Sequence, residues 1–355
     1  MNNIYKILSV VVFCVVLAAC SKNNNNDPAP IRDYATQYAA DKDSIDKYLT
    51  THYMTVDPTT FDVTFNKIAT GGTQQSIKAQ TQYPLLDTIV VQDGINYHIP
   101  FIKFREGDII NGKRPTQVDS IHVAYKGVTM TDHTISANNP NEIDFDVAVN
   151  PVWFKLPEVI SGWAHILTNF HTGTYTTNPT TFINYGAGVM FLPSGLAYYN
   201  NATTNVSAYS PLIFTFKLCE VHYRDQDGDG ILSKDERKLD PNIDKLIRWK
   251  ENPGGNTYKF DNSGNLVIDV PFLDTDGDGI ADMYDTDDDG DHILTRIETI
   301  KDPADITATA VLGHYPFDPT PTEPKGVPAR TGTVGNYIYD YTSKNRLRKY
   351  LDPSW

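Results

Sequence analysis

Val-Ala-Tyr-Lys-Gly (123–127), Phe-Asp (145–146), Asn-Pro-Val-Trp-Phe-Lys-Leu (150–156) and Val-Ile-Ser-Gly-Trp (159–163) form the stretch whose reading decides the fold. Phe-Leu-Pro-Ser-Gly-Leu-Ala-Tyr (191–198) and Pro-Leu-Ile-Phe-Thr-Phe-Lys-Leu (211–218) complete it. Leu212–Val221 alternates, with Phe214, Phe216 and Leu218 on one face, as a half-buried strand does. Tyr97–Phe104 alternates in the same way, and Ser120–Tyr125 follows a turn at Lys113–Pro115; both predict strands. Gly, Pro and Tyr are plentiful and long helical patterns few, so the body reads as mostly β with many turns.

In this order the blocks resemble the FKBP family of peptidyl-prolyl isomerases. The resemblance implies an α+β fold, a bent antiparallel sheet wrapped on a short helix with an aromatic pocket between them, over residues 96–222. The helix would be Trp163–Gly173, with Gly173 as a left-handed cap past its end, and Thr174–Ala187 an inserted hairpin. Tyr97–Phe104 would be the first strand of the sheet. The family has a Phe-Asp dipeptide after the Gly that stands here at 127. Ungapped counting lands on Ile135-Ser136; an insertion puts the dipeptide at Phe145-Asp146. Tyr199 stands where the family usually has Gly.

Carried over residue by residue, the site comprises Tyr125, Phe145, Asp146, Val159, Ile160, Trp163, Tyr198 and Phe214. Trp163 would be the floor for a pyrrolidine ring, and Tyr125, Phe145, Val159 and Phe214 its walls. The Ile160 N–H and Tyr198 hydroxyl would hold substrate carbonyls, and Asp146 would polarise the amide. The implied chemistry needs no cofactor. Rotation about a C–N amide bond meets a barrier of ~18–20 kcal/mol, and X–Pro isomerisation is slow enough to limit folding. A twisted amide has lost resonance and part of its dipole, so a dry apolar pocket disfavours it less than the planar form. The implied partners are Pro-containing polypeptides. A pocket that holds such segments without turning them over, or a calcium-stiffened scaffold or adhesin, is the alternative reading.

The 355 residues carry a net charge of −14, which argues against nucleic-acid binding. The acid is local: residues 225–298 hold 20 acidic against 8 basic side chains. Of three cysteines, Cys14 lies in an apolar leader, Cys20 ends it and Cys219 is alone in the body, so no intrachain disulfide framework is expected. Residues 1–19 read as a signal segment, with an apolar run too short to span a bilayer. Leu17-Ala-Ala-Cys20 resembles a bacterial lipobox, which implies acylation of Cys20, palmitate among the chains, and a lipid anchor to the membrane of the cell envelope. The residue after Cys20 is not Asp, which favours the outer membrane. Residues 20–32, polar beyond the cysteine, read as a tether.

Residues 33–95 should hold an amphipathic helix, with Tyr34, Tyr38, Ile45, Tyr48 and Leu49 on one face, and then short strands. Residues 223–300 read as a calcium-binding segment. Asp225-Gln-Asp-Gly-Asp-Gly-Ile-Leu-Ser-Lys-Asp-Glu236 fits the EF-hand loop: Asp225, Asp227, Asp229, the Ile231 carbonyl, Ser233 and Glu236 at positions one, three, five, seven, nine and twelve. Asp274, Asp276, Asp278, Asp282 and Asp285 repeat it, and Asp287, Asp289, Asp291 and Glu298 form an overlapping third loop in which His292 replaces the glycine. The tandem runs resemble thrombospondin type 3 repeats, which implies structural Ca2+. Residues 301–355 read as a tail, a short basic helix and a disordered end.

Overall fold

A computed structural model describes residues 30–130, 144–236, 273–301, 313–343 and 346–355, with the backbone of four two-residue strands between 239 and 267. The leader, Cys20 and Ile135-Ser136 lie outside the described residues. The chain divides into two units, Met1–Asp33 and Tyr34–Trp355. Of the first, Pro30–Asp33 is exposed and has no regular structure. No helix among the described residues is long and apolar enough to cross a membrane. The rest concerns the second unit.

It opens with helix α1 (Tyr34–Thr51), which buries Gln37, Asp41, Ile45, Tyr48 and Leu49, the stripe expected of residues three and four apart. A hairpin follows, β1 (His52–Val56) against β2 (Val63–Lys67). Then come β3 (Leu85–Gln92), β4 (Ile95–Arg105), β5 (Ser120–Thr129) and β6 (Asp144–Lys155), helix α2 (Ser161–Leu167) and a small hairpin of β7 (Thr174–Thr177) and β8 (Thr180–Ile183). β9 (Gly186–Leu192) and β10 (Leu212–His222) complete a six-stranded antiparallel sheet in the order β3-β4-β9-β10-β5-β6.

The sheet has a core on each face. On one, α2 and the turn after it bring Trp163, Ile166, Leu167 and Phe170 against Tyr97, Ile99, Ile121, Val123, Met190, Phe214 and Phe216. On the other, Ile45, Tyr48 and Leu49 of α1 and Val63 and Phe65 of the hairpin pack on Ile102, Val189, Phe191 and Ile213. Because neighbours along a strand point to opposite faces, β9 is buried at every position and reads as an unbroken apolar run.

Several expectations are corrected. The sheet begins at Leu85, so Tyr97–Phe104 lies in its second strand in the chain. The N-terminal helix and strands do more than precede the sheet, since α1 and its hairpin supply the second core. The helix ends at Leu167 with Thr168 as its right-handed cap. Gly173 is glycine because the chain passes too close for a side chain: an added Cβ would meet the Ile183 carbonyl oxygen at 1.9 Å.

The end of the chain is not a loose tail. Tyr315, Val327 and Tyr350 cluster on Ile231 of the first acidic loop. Arg346 and Arg348 are buried, with Arg346 donating to the Val327, Ser343 and Phe317 carbonyls and Arg348 to Asp318. In place of the short basic helix expected there is a single turn at Lys349–Leu351, and the arginines before it close off backbone acceptors.

Candidate functional site

Trp163, the third residue of α2, lies at the base of a hollow of about 230 Å³ and is itself 3% exposed. Three aromatic rings meet its ring edge-on: Tyr125 at 5.0 Å, Phe214 at 5.2 Å and Phe154 at 5.8 Å between centroids. Such edge contacts suit the aromatic quadrupole and fix the rings that form the walls. Val159, Ile160, Tyr198, Asp146 and Glu158 complete the lining.

Of the eight residues carried over from the sequence, the fold brings seven into this lining: Tyr125, Asp146, Val159, Ile160, Trp163, Tyr198 and Phe214. Phe145 stands behind it, packed edge-on against Phe214 at 5.5 Å. Phe154 and Glu158 were not among the eight. Alternation along β6 carries the signal for Phe154: Trp153 turns outward and stacks on His122, so its neighbour turns inward.

A register shift explains how adjacent Phe145 and Asp146 both serve one site. Gly127 pairs with Asp146 and Val128 with Asp144, which leaves Phe145 as the extra residue of a β-bulge. Without the bulge the two side chains would point to opposite faces. Gly127 is the second requirement. A Cβ there would lie 2.7 Å from Phe145 Cζ and 2.8 Å from Phe214 Cε1.

The Tyr125 hydroxyl donates to Asp146 Oδ2 at 2.6 Å. Burial, and then this hydrogen bond, raise the Tyr125 phenol well above its ordinary value, so it stays a donor. Burial and the Asp146 charge raise Tyr198 too. The buried Trp163 Nε1 has no hydrogen-bond partner among the described residues. No Ser, Thr, Cys, Lys or His lines the hollow. The lining offers apolar enclosure for a small group, with the carboxylates of Asp146 and Glu158 and the phenols of Tyr125 and Tyr198 beside it.

The turn carrying Tyr198 is held from α1. Asp41, 1% exposed, accepts from the Ser194 N–H at 2.7 Å and the Ser194 hydroxyl at 2.6 Å. Tyr199, where the family usually has Gly, sits at φ +50°. Tyr34 stacks on it at 4.2 Å and Tyr209 meets it edge-on at 5.2 Å. The glycine-like backbone is kept and a bulky side chain is held there by packing.

The three acidic loops share one conformation. In each, the N–H of the second residue is accepted by the ninth side chain: Gln226 by Ser233, Thr275 by Asp282 and Asp288 by Thr295. The seventh N–H goes to the fifth carboxylate at 2.7 Å, in Ile231–Asp229, Ile280–Asp278 and Ile293–Asp291. His292 takes φ +73° where the other two loops have Gly230 and Gly279. The carboxylates at positions one, three and five gather within 4.8 Å in every loop: Asp225, Asp227 and Asp229; Asp274, Asp276 and Asp278; Asp287, Asp289 and Asp291. The other expected ligands are not all in these groups. Asp282 spends both oxygens on Thr275. Ser233 accepts from Gln226, and Asp285 and Glu298 lie outside the gathered sets. Burial, and then neighbouring carboxylates, push Glu236 up to about 11 and Asp288 to about 10.

Residues 226–328 match the family model described as "BamM C-terminal". No curated protein matches the chain. Among solved structures, it is similar to a peptidyl-prolyl cis-trans isomerase from Pseudomonas syringae pv. tomato, with 20% identity, 54% of this chain and 98% of that one covered, and a TM-score of 0.31. It is also similar to FkpA from Escherichia coli, with 18% identity, 62% and 72% covered, and a TM-score of 0.29.

Proposed function

We propose that the hollow over Trp163 takes the proline ring of an X–Pro segment and catalyses its cis–trans isomerisation, as an FKBP-type peptidyl-prolyl isomerase does. The observation that carries this reading is the convergence of seven residues, from Tyr125 to Phe214, on one aromatic hollow. At about 230 Å³ it is smaller than the ~300–1,000 Å³ of drug-sized ligand sites and suits a single small ring. Trp163 and its edge-on neighbours exclude water from the bound ring. Asp146, Tyr198 and Ile160 line the hollow, and in this reading Asp146, the Tyr198 hydroxyl and the Ile160 N–H would meet the flanking amides of an extended substrate. Catalysis then comes from tolerating the low-dipole twisted amide better than the planar one.

Exchange spectroscopy on a short X–Pro peptide tests this. Accelerated interconversion with the wild-type chain supports an enzyme. Peptide binding with no acceleration makes the hollow a recognition module for Pro-containing segments.

Two further assignments belong to the same reading. The substrates are exported or envelope polypeptides, reached from a membrane by acylated Cys20 and the tether; radiolabelled palmitate incorporated by wild type and lost in Cys20→Ala tests the anchor. The acidic loops take structural Ca2+. The residues present fit an oxygen-seeking cation: each loop gathers three carboxylates, and buried oxygens of Asp227, Asp287, Asp289 and Glu298 have no hydrogen-bond partner among the described residues.

A further inference from the structure

One group of carboxylates crosses the loop pattern. Asp229 and Glu236 of the first acidic loop and Asp288 of the third each present an oxygen within 4.8 Å of the other two. Each of the three residues is only 1% exposed. Five of their oxygens, Asp229 Oδ2 and both of Glu236 and Asp288, are buried with no hydrogen-bond partner among the described residues. The other Asp229 oxygen is committed to the Ile231 N–H at 2.7 Å. No Lys, Arg or His forms an ion pair with any of the three among the described residues.

Three buried carboxylates facing one another with a single backbone donor and no counter-charge among the described residues are strongly unfavourable in a protein interior. Backbone N–H groups do not relieve them, since those nearby are used to close the loops. The arrangement makes sense around a hard cation. Ca2+ accepts six to eight oxygens in irregular geometry, whereas Mg2+ demands a regular octahedron and keeps its waters.

We propose that a calcium ion binds among Asp229, Glu236 and Asp288 and joins the first and third acidic loops into one centre. This rests on the reading that the acidic segment takes calcium, and adds to it a ligand the loop pattern does not supply: Asp288 occupies the second position of its own loop, where the EF-hand pattern has no ligand. The consequence is structural. Ile231 leaves this centre directly into the cluster with Tyr315, Val327 and Tyr350, so the ion secures the packing of the chain's last segment.

The test is calcium binding by equilibrium dialysis and thermal melting of the full chain, as wild type, Asp288→Asn, Asp288→Ala and Asp274→Ala. The proposal expects the wild type to bind calcium and melt higher with it. Both Asp288 variants should bind one ion at least tenfold more weakly and lose at least half of the calcium-induced rise in Tm. Asp288→Asn, being isosteric and relieved of a buried charge, should melt without calcium no lower than wild type, which shows that its fold is intact. Asp274→Ala should lose an ion of the second loop and keep most of the rise in Tm. A wild type that binds no calcium at millimolar concentration overturns both the loop reading and this inference. Calcium binding unchanged in the Asp288 variants overturns this inference alone.

Discussion

The Tyr125 hydroxyl donates a 2.6 Å hydrogen bond to Asp146 Oδ2, joining the neighbouring strands β5 and β6 at the rim of the aromatic hollow. The bond holds the single carboxylate that the sequence reading assigned to amide polarisation, and it exists because a bulge at Phe145 turns Asp146 toward the hollow.

Tyr125→Phe should therefore slow X–Pro isomerisation while barely affecting the fold. The pair is solvent-accessible, so water replaces the lost donor and stability should change by less than ~1 kcal/mol. A bound peptide would cover the pair and keep water from Asp146; there a hydrogen bond to a charged group contributes about 1.5–3 kcal/mol, so a rate loss of roughly tenfold or more is expected. Exchange rates and urea melts of the same variant check both halves.

Gly127→Ala tests the wall. The new methyl meets Phe145 and Phe214, and these rings must shift. Overpacking of this kind costs about 1–3 kcal/mol. The isomerisation rate should fall with stability, whereas a surface Gly→Ala would change neither.

Asp41→Ala tests the clamp from the N-terminal helix. It strands the buried Ser194 N–H and hydroxyl, at ~1–3 kcal/mol for each buried group left without a partner. Urea unfolding should show that loss, and the amides of α1 should lose hydrogen-exchange protection before those of β9.

Tyr199 gives a comparison of opposite sign to ordinary intuition. Glycine there would relieve left-handed strain of roughly 1–2 kcal/mol and lose two ring contacts of about 0.5–1.5 kcal/mol each. Alanine would lose the contacts and keep the strain. Tyr199→Ala should melt below Tyr199→Gly; the reverse order would show that φ at this position is not what the side chain opposes.

These cases show what was legible in the sequence. β10 could be read from the alternation of Phe214, Phe216 and Leu218, since a strand face records its burial with period two. Most of the pocket could be read because its members sit in blocks whose order the family resemblance supplied. β9 could not be read by alternation, because cores on both faces remove it. The role of α1 was hidden for another reason: Gln37 and Asp41 are polar and look solvated, but Asp41 finds its partner 153 residues away. Asp288 was not singled out because the loop pattern passes over its second position, and its neighbours Asp229 and Glu236 lie in another loop. Arg346 and Arg348 read only as part of a short basic helix because their acceptors, the Phe317 carbonyl and Asp318, lie far upstream.

The most direct test asks whether a proline ring enters the hollow. Nuclear Overhauser contacts should be measured between the ring protons of a short X–Pro peptide and the protein's indole protons, assigned through Trp163→Phe. The account predicts contacts from the proline ring to Trp163, lost in the variant. A peptide that binds while its proline ring contacts only the exposed Trp153, or no indole at all, would contradict it.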